Sequence, residues 1–172
     1  MGALAVISPL DISPGDRGWI ESIRTRHDPQ HAFIEPHFTL VFPFHGVGVS
    51  AVEQHVKTVA AATQSIPFRL CAVRVVADVL SPRIYVFLVP DLGESEIRDL
   101  HGKLYQGILA SNLKADIPYE PHVTVAATEH WSDADVVSRS IGPVEIVGRL
   151  RELLFIFIDG RNVRELHRFP LQ

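Results

Sequence analysis

The chain has 172 residues and a mass of 19.1 kDa, enough for one domain that buries a sizeable core without covalent staples. Hydrophobic residues at 47% and charged residues at 21% exclude a disordered chain, and a single cysteine, Cys71, excludes an internal disulfide. A net charge of −4, with no Lys/Arg run, argues against extended duplex nucleic acid as a partner, because that binding rests on a basic surface. The apolar run Leu153 to Ile158 is six residues long, far short of the roughly 20 that cross a bilayer. The amino-terminal stretch from Met1 to Asp11 lacks the basic start of a signal peptide, and Val6 stands where a myristoylation signal after Gly2 needs Ser or Thr. These readings predict a cytoplasmic protein with no membrane partner.

Ala3 to Ser8 reads as a strand ended by Pro9. Ser13-Pro14 then offers a cap and a first-turn proline to a helix carrying Trp19, Ile20 and Ile23, which Asp28-Pro29 ends. His37 to Phe44 is a strand rich in aromatic and β-branched residues. Ser50 to Glu53 has capping-box spacing ahead of a helix with Val52, Val56, Val59 and Thr63 on one face. Pro67 to Val76 and Arg83 to Val89 read as two strands joined around Asp78 to Pro82. Asp91 to Glu94 is a second capping-box candidate, opening a helix with Ile97, Leu100, Leu104 and Ile108 on one face. His122 to Ala127 is a strand, followed by a short helix from Ser132. Val144 to Val147, Arg151 to Ile158 and Val163 to Phe169 close the chain, the last two joined by the turn Asp159-Gly160-Arg161-Asn162. Several connections are too short for a crossover helix, which favours α+β with mostly antiparallel sheets. Gly46 to Val49 is too short to be a domain linker, so residues 1–172 are read as a single two-lobed domain.

One internal echo stands out: Pro36-His37-Phe38-Thr39-Leu40 recurs 85 residues later as Pro121-His122-Val123-Thr124-Val125. Strand side chains alternate faces, so His37 and Thr39 share a face, as do His122 and Thr124, while Phe38 and Val123 turn to apolar packing. Two strands meeting at a common cleft would bring together two imidazoles and two hydroxyls. Imidazoles titrate near neutrality, so one can act as base and the other as acid. Hydroxyls can hold anionic oxygens. The set suits an anion that is bound and cleaved, most naturally a phosphodiester. A single His-x-Thr on a strand arises easily by chance; its repetition after proline is what points to chemistry.

Other chemistries fit less well. No carboxylate or cysteine completes a zinc-ligand spacing around the two histidines, and there is no G-x-S-x-G, P-loop or dinucleotide glycine pattern. Cys71 in FRLCAVRVV reads as a buried structural thiol. Neither a metal nor a cofactor is expected. Arg24, Arg26 and Arg83 are candidates to neutralise phosphate charge, and Phe44, Tyr85 and Tyr119 are candidates to stack a base. His27, His31, His45, His55, His101, His130 and His167 read as loop, helix or strand residues outside the chemistry.

At the two motifs, His37-Phe38-Thr39-Leu40 and His122-Val123-Thr124-Val125, the sequence resembles the two-histidine phosphoesterase superfamily, which includes the 2′-5′ RNA ligase-like proteins and the cyclic phosphodiesterases. Leu40 to Phe44, and the upstream Arg24 with Asp28-Pro29, look like the RNA ligase-like branch. The resemblance implies a bilobal α+β fold of pseudo-twofold symmetry, with helices outside a central cleft. It also implies metal-independent opening of a 2′,3′-cyclic phosphate, on a nucleotide or RNA end, to a 2′-phosphomonoester. His37 and His122 would be the acid–base pair, and Thr39 and Thr124 the phosphate ligands. Many RNA-active relatives carry a basic residue soon after the second motif, where this chain has Ala126-Ala127-Thr128. Two other readings stand beside hydrolysis: 2′-5′ ligation of RNA ends, and a phosphate-binding module without turnover. Which histidine is the base is left open by the sequence, as are the protein partners.

Overall fold

The computed structural model describes residues 2–79 and 81–172. Met1 of the amino-terminal reading and Leu80 of the connection after Asp78 lie outside the described residues. Nine strands, β1 (Ala3–Pro9), β2 (Asp11–Ile12), β3 (His37–Phe44), β4 (Ile66–Ala77), β5 (Ile84–Leu92), β6 (Val123–Thr128), β7 (Ile146–Leu150), β8 (Glu152–Asp159) and β9 (Asn162–Pro170), form one sheet in the order β2-β7-β4-β5-β6-β3-β1-β8-β9. Every pairing described is antiparallel. The helices α1 (Pro14–His27), α2 (Val49–Ala61), α3 (Glu94–Leu104) and α4 (Trp131–Ile141) cover one side. None of the described helices is long and apolar enough to cross a membrane.

The sheet is continuous but nearly divided. β3 and β6, the strands that carry the two motifs, meet at the single registered pair Phe38↔Val123. On one side of that seam lie β1, β8 and β9, and on the other β5, β4, β7 and β2. The fold is therefore α+β, bilobal and antiparallel, with the doubled motif at the junction of the lobes. Strand alternation sends Phe38, Leu40, Val123, Val125, Val86 and Leu88 into the main core under the helices, where each is fully buried. Phe38 meets Phe68 edge-on at 5.3 Å between ring centres, which joins the two lobes beneath the seam. A second, smaller cluster of Ala5, Ile7, Leu154 and Ile156 lies on the other side of the sheet, with Ile34 over it.

Local signals and tertiary contacts disagree in three places. Ser13 does cap α1, accepting from the Asp16 N–H at 3.1 Å. Neither predicted capping box forms. Helix α2 starts at Val49 behind Gly48, ahead of Ser50, and β5 runs on through Asp91, whose carboxylate is held by Arg69 at 2.9 and 2.5 Å. Gly93, in the left-handed region at φ 82°, makes the turn into α3 instead. The third helical face ends early: Gly107 at φ 58° opens a 3-10 turn, Gly107–Asn112, which buries Leu109 and leaves Ile108 exposed. Cys71 is half-buried on β4, less enclosed than the sequence suggested.

Candidate active site

The antiparallel contact at Phe38↔Val123 puts His37 and Thr39 on either side of that position on one strand, and His122 and Thr124 on either side of it on the other. All four side chains then share the face opposite the main core, and all four are half-buried. The two imidazoles therefore flank the single point where the strands meet, one from each half of the sheet. They sense each other, since charge on His122 disfavours charge on His37.

Each ring is pinned in the same way. His37 Nδ1 donates to the Glu35 carbonyl at 2.7 Å, and His122 Nδ1 donates to the Glu120 carbonyl at 2.7 Å. A carbonyl only accepts, so Nδ1 carries the hydrogen in both rings, and Nε2 is the nitrogen available to a substrate. The repeat thus extends one residue further upstream than the sequence reading took it, to Glu35-Pro36-His37 and Glu120-Pro121-His122. That glutamate was visible in the sequence; its use, through its backbone, was not.

The electrostatics separate the rings. Burial lowers the His37 pKa to about 4, against the opposing pull of the Glu35 carbonyl, with the charges of Arg24 and His122 lowering it further and Asp28 raising it. Burial also lowers His122, but both the carbonyl and the negative charge of Glu120 resist it. His122 further stacks on Phe87, ring centres 3.7 Å apart and planes within 20°, a face that favours the imidazolium form.

The candidate contacts named from the sequence divide. Tyr85 lies on the cleft side of β5: it stacks with Phe87 at 5.8 Å and sits opposite Ala127 on β6. Arg24 is not a substrate contact: it is 1% exposed and its guanidinium donates to Asp28 at 2.9 Å, to the Ile34 carbonyl at 2.7 Å and to Glu21 at 3.4 Å. It braces the segment from α1 to β3 and acts on His37 through its charge. Phe44 is buried in the main core at the far end of β3, where an aromatic side chain pays its way by packing. Tyr119 is buried too, donating its hydroxyl to the Thr39 carbonyl at 2.9 Å.

Tyr119 belongs to a support the sequence did not reveal. Beyond Phe38↔Val123 the strands part, and side chains replace strand partners along β3. Tyr119 takes the Thr39 carbonyl, His101 Nδ1 donates to the Leu40 carbonyl at 2.8 Å, and the Tyr105 hydroxyl accepts from the Phe42 N–H at 3.0 Å. His101 and Tyr119 stack at 3.7 Å with planes 3° apart. Burial lowers the His101 pKa and raises those of both tyrosines, so the three rings are neutral bracing.

Arg26 and Arg83, the other candidates for phosphate charge, line a groove of about 800 Å³ between the end of α1 and α4 together with His27, His31 and His130, and the groove reaches the cleft face at Ala127. His45 is exposed at the end of β3. Among the described residues no three His, Cys, Asp or Glu side chains are gathered as a metal ion would require.

A divided antiparallel sheet presenting one His/Thr pair from each half defines the class of two-lobed, two-histidine proteins. The chain belongs to the 2′-5′ RNA ligase superfamily, whose family model matches residues 12–156. A Bacillus licheniformis protein provisionally named a phosphoesterase is 33% identical over 107 residues, 61% of this chain and 60% of that protein. An Oceanobacillus iheyensis protein with the same kind of name is 28% identical over 121 residues, 69% of this chain and 68% of its own length. The match thus spans about 60% of the length of the first of these relatives. Among solved structures, E. coli LigT in apo form superposes with a TM-score of 0.59 at 19% identity, covering 99% of this chain and 97% of that one. Kluyveromyces marxianus Usb1 superposes with a TM-score of 0.60 at 10% identity, covering 98% of each chain. Structures of LigT complexed with 3′-AMP, ATP and phosphate align comparably. At such identities the likeness establishes the fold.

Proposed function

We propose that the cleft hydrolyses the 2′,3′-cyclic phosphate of a nucleotide or RNA end to a 2′-phosphomonoester, with the two imidazoles as base and acid. The observation that carries this reading is the equivalent pinning of both rings through Nδ1 at one seam, which leaves two Nε2 atoms for one reacting group. His37, with a pKa of about 4, is unprotonated at neutral pH and is the base; His122, supported by the Glu120 charge and the Phe87 face, is the acid. A water gives its proton to His37 Nε2 and its oxygen attacks phosphorus. The bond from phosphorus to O3′ breaks as His122 Nε2 delivers a proton to O3′. The 2′-phosphomonoester and a free 3′-hydroxyl leave, and solvent resets both rings. The Thr39 and Thr124 hydroxyls donate to the non-bridging oxygens as charge builds there. Tyr85, backed by Phe87 and facing the small side chain of Ala127, is the platform for the base. The nucleotides named with LigT support a substrate of this class.

Phosphorus NMR on 2′,3′-cyclic AMP tests the reading. The native protein converts it to 2′-AMP, and H37A and H122A each lose at least about 10²-fold in rate while keeping the native melting temperature. Binding without product refutes turnover, and joined oligonucleotides from cyclic-phosphate ends redirect the reading to ligation.

A further inference from the structure

The carbonyls that orient the two imidazoles belong to glutamates, and each glutamate uses its side chain in an ion pair. Glu35 pairs with Arg17 of α1 at 3.2 Å, and Glu120 pairs with Arg74 of β4. Arg17 also donates to the Leu10 carbonyl, just beyond the end of β1 whose Pro9 faces His37 across the ladder. Arg74 stands opposite Phe87 in the β4–β5 register, so it reaches Glu120 along the cleft side, beside the ring that stacks on His122. The pairs come from unrelated elements, a helix and a strand, yet end on equivalent residues.

Each glutamate is followed by a proline, Pro36 and Pro121, and both prolines are buried. Proline fixes its own φ and confines the preceding residue to extended geometry. The carbonyl between them is left with one loose joint, rotation of the whole glutamate about its flanking bonds. An ion pair at the end of that glutamate's side chain removes it. The side chains involved are 35% and 42% exposed for Arg17 and Glu35, and 56% and 33% for Arg74 and Glu120. Pairs this exposed contribute little to stability, so overall stability does not account for finding one on each of the two orienting glutamates.

We propose that Arg17–Glu35 and Arg74–Glu120 are paired brackets that hold the two carbonyls in place, and so fix the tautomer and aim of His37 and His122. The four are positioning residues; none touches the reacting atoms. The proposal takes His37 and His122 as the reacting pair, but its first readout does not depend on turnover. Each bracket acts on its own ring alone.

The test is a long-range proton–nitrogen correlation of the histidine rings in the uniformly nitrogen-15-labelled full chain, with the His37 and His122 signals assigned by their loss in H37A and H122A. In the native protein both rings populate the Nδ1–H tautomer. Glu35→Gln and Arg17→Ala shift His37 toward a tautomer mixture and leave His122 unchanged; Glu120→Gln and Arg74→Ala do the reverse. Arg17→Lys and Arg74→Lys keep the cation and retain the native tautomer. With 2′,3′-cyclic AMP, the neutralised variants lose roughly 10-fold to 10²-fold in kcat at unchanged KM and melting temperature, the scale on which small misplacements act. Native tautomer populations in the glutamate and alanine variants overturn the proposal. So does one substitution disturbing both rings equally, or lysine failing as alanine does. If no cyclic phosphate is turned over, the kinetic arm is lost with the functional reading while the ring spectra still decide this one.

Discussion

Changing pH titrates the two imidazoles directly, and their environments fix the shape of the response. The His37 pKa of about 4 comes chiefly from burial, reinforced by Arg24 and His122 and opposed by the Glu35 carbonyl and Asp28. A base at that value is ready throughout the neutral range and is lost only below about pH 4. The His122 pKa also lies under the ordinary 6.5, chiefly through burial, so an acid at this position loses its proton at a lower pH than an ordinary imidazole does. Because kcat/KM reports groups of the free enzyme, it should trace a bell: rising through about pH 4, greatest below 6.5, and falling about tenfold per pH unit on the alkaline side. The same burial affects folding. Between 6.5 and about 4 the unfolded chain binds a proton at His37 that the folded chain does not, so stability is fully present above 6.5 and declines as pH falls through that window. The assay is initial velocity at subsaturating 2′,3′-cyclic AMP, with a melting curve at each pH to separate titration from unfolding. An acid limb centred at 6.5, or a rate that holds level to alkaline pH, would refute the assignment of base and acid.

Four further outcomes are expected. Phe38→Ala removes a fully buried ring that meets Phe68 beneath the seam and should cost about 3–5 kcal/mol in urea unfolding. Arg24→Met leaves Asp28 buried without its cation and should cost a comparable 3–5 kcal/mol; loss of the Arg24 charge also moves the acid limb of the rate profile upward. Tyr85→Ala should weaken binding of a cyclic nucleotide by about 1–3 kcal/mol in titration calorimetry, with no comparable effect on a cyclic phosphate that lacks a base. Thr39→Val and Thr124→Val should each lower kcat by about 10²-fold with little change in melting temperature, read from progress curves at saturating substrate.

The candidate site was legible because its placement is written locally. Whether His37 and Thr39 share a face depends only on strand alternation, and the repeated proline-led motif marked the two strands that meet. The helix starting at Ser13 was legible for the same reason. What failed was decided by distant partners. Asp91 has a cap's spacing to Glu94, but Arg69, 22 residues away on the neighbouring strand, holds its carboxylate and keeps the backbone extended. Phe44 and Tyr119 carry the same aromatic signal as Tyr85, and only the three-dimensional arrangement puts Tyr85 on the cleft face and the others behind it. The bracing of β3 by His101, Tyr105 and Tyr119 joins residues roughly 60 to 80 positions apart, and no local pattern announces it. Arg17 and Arg74 are ordinary surface arginines in sequence; their relation to the two rings exists only once Glu35 and Glu120 are placed.

A crystal structure with uridine vanadate, a mimic of the five-coordinate phosphorus state, measures the geometry on which the account stands. The account predicts vanadium at the Phe38–Val123 seam, one apical oxygen within hydrogen-bond reach of His37 Nε2 and the other within reach of His122 Nε2, with the Thr39 and Thr124 hydroxyls on equatorial oxygens. Vanadate bound away from the seam, or touched by one imidazole while the other faces elsewhere, would contradict it.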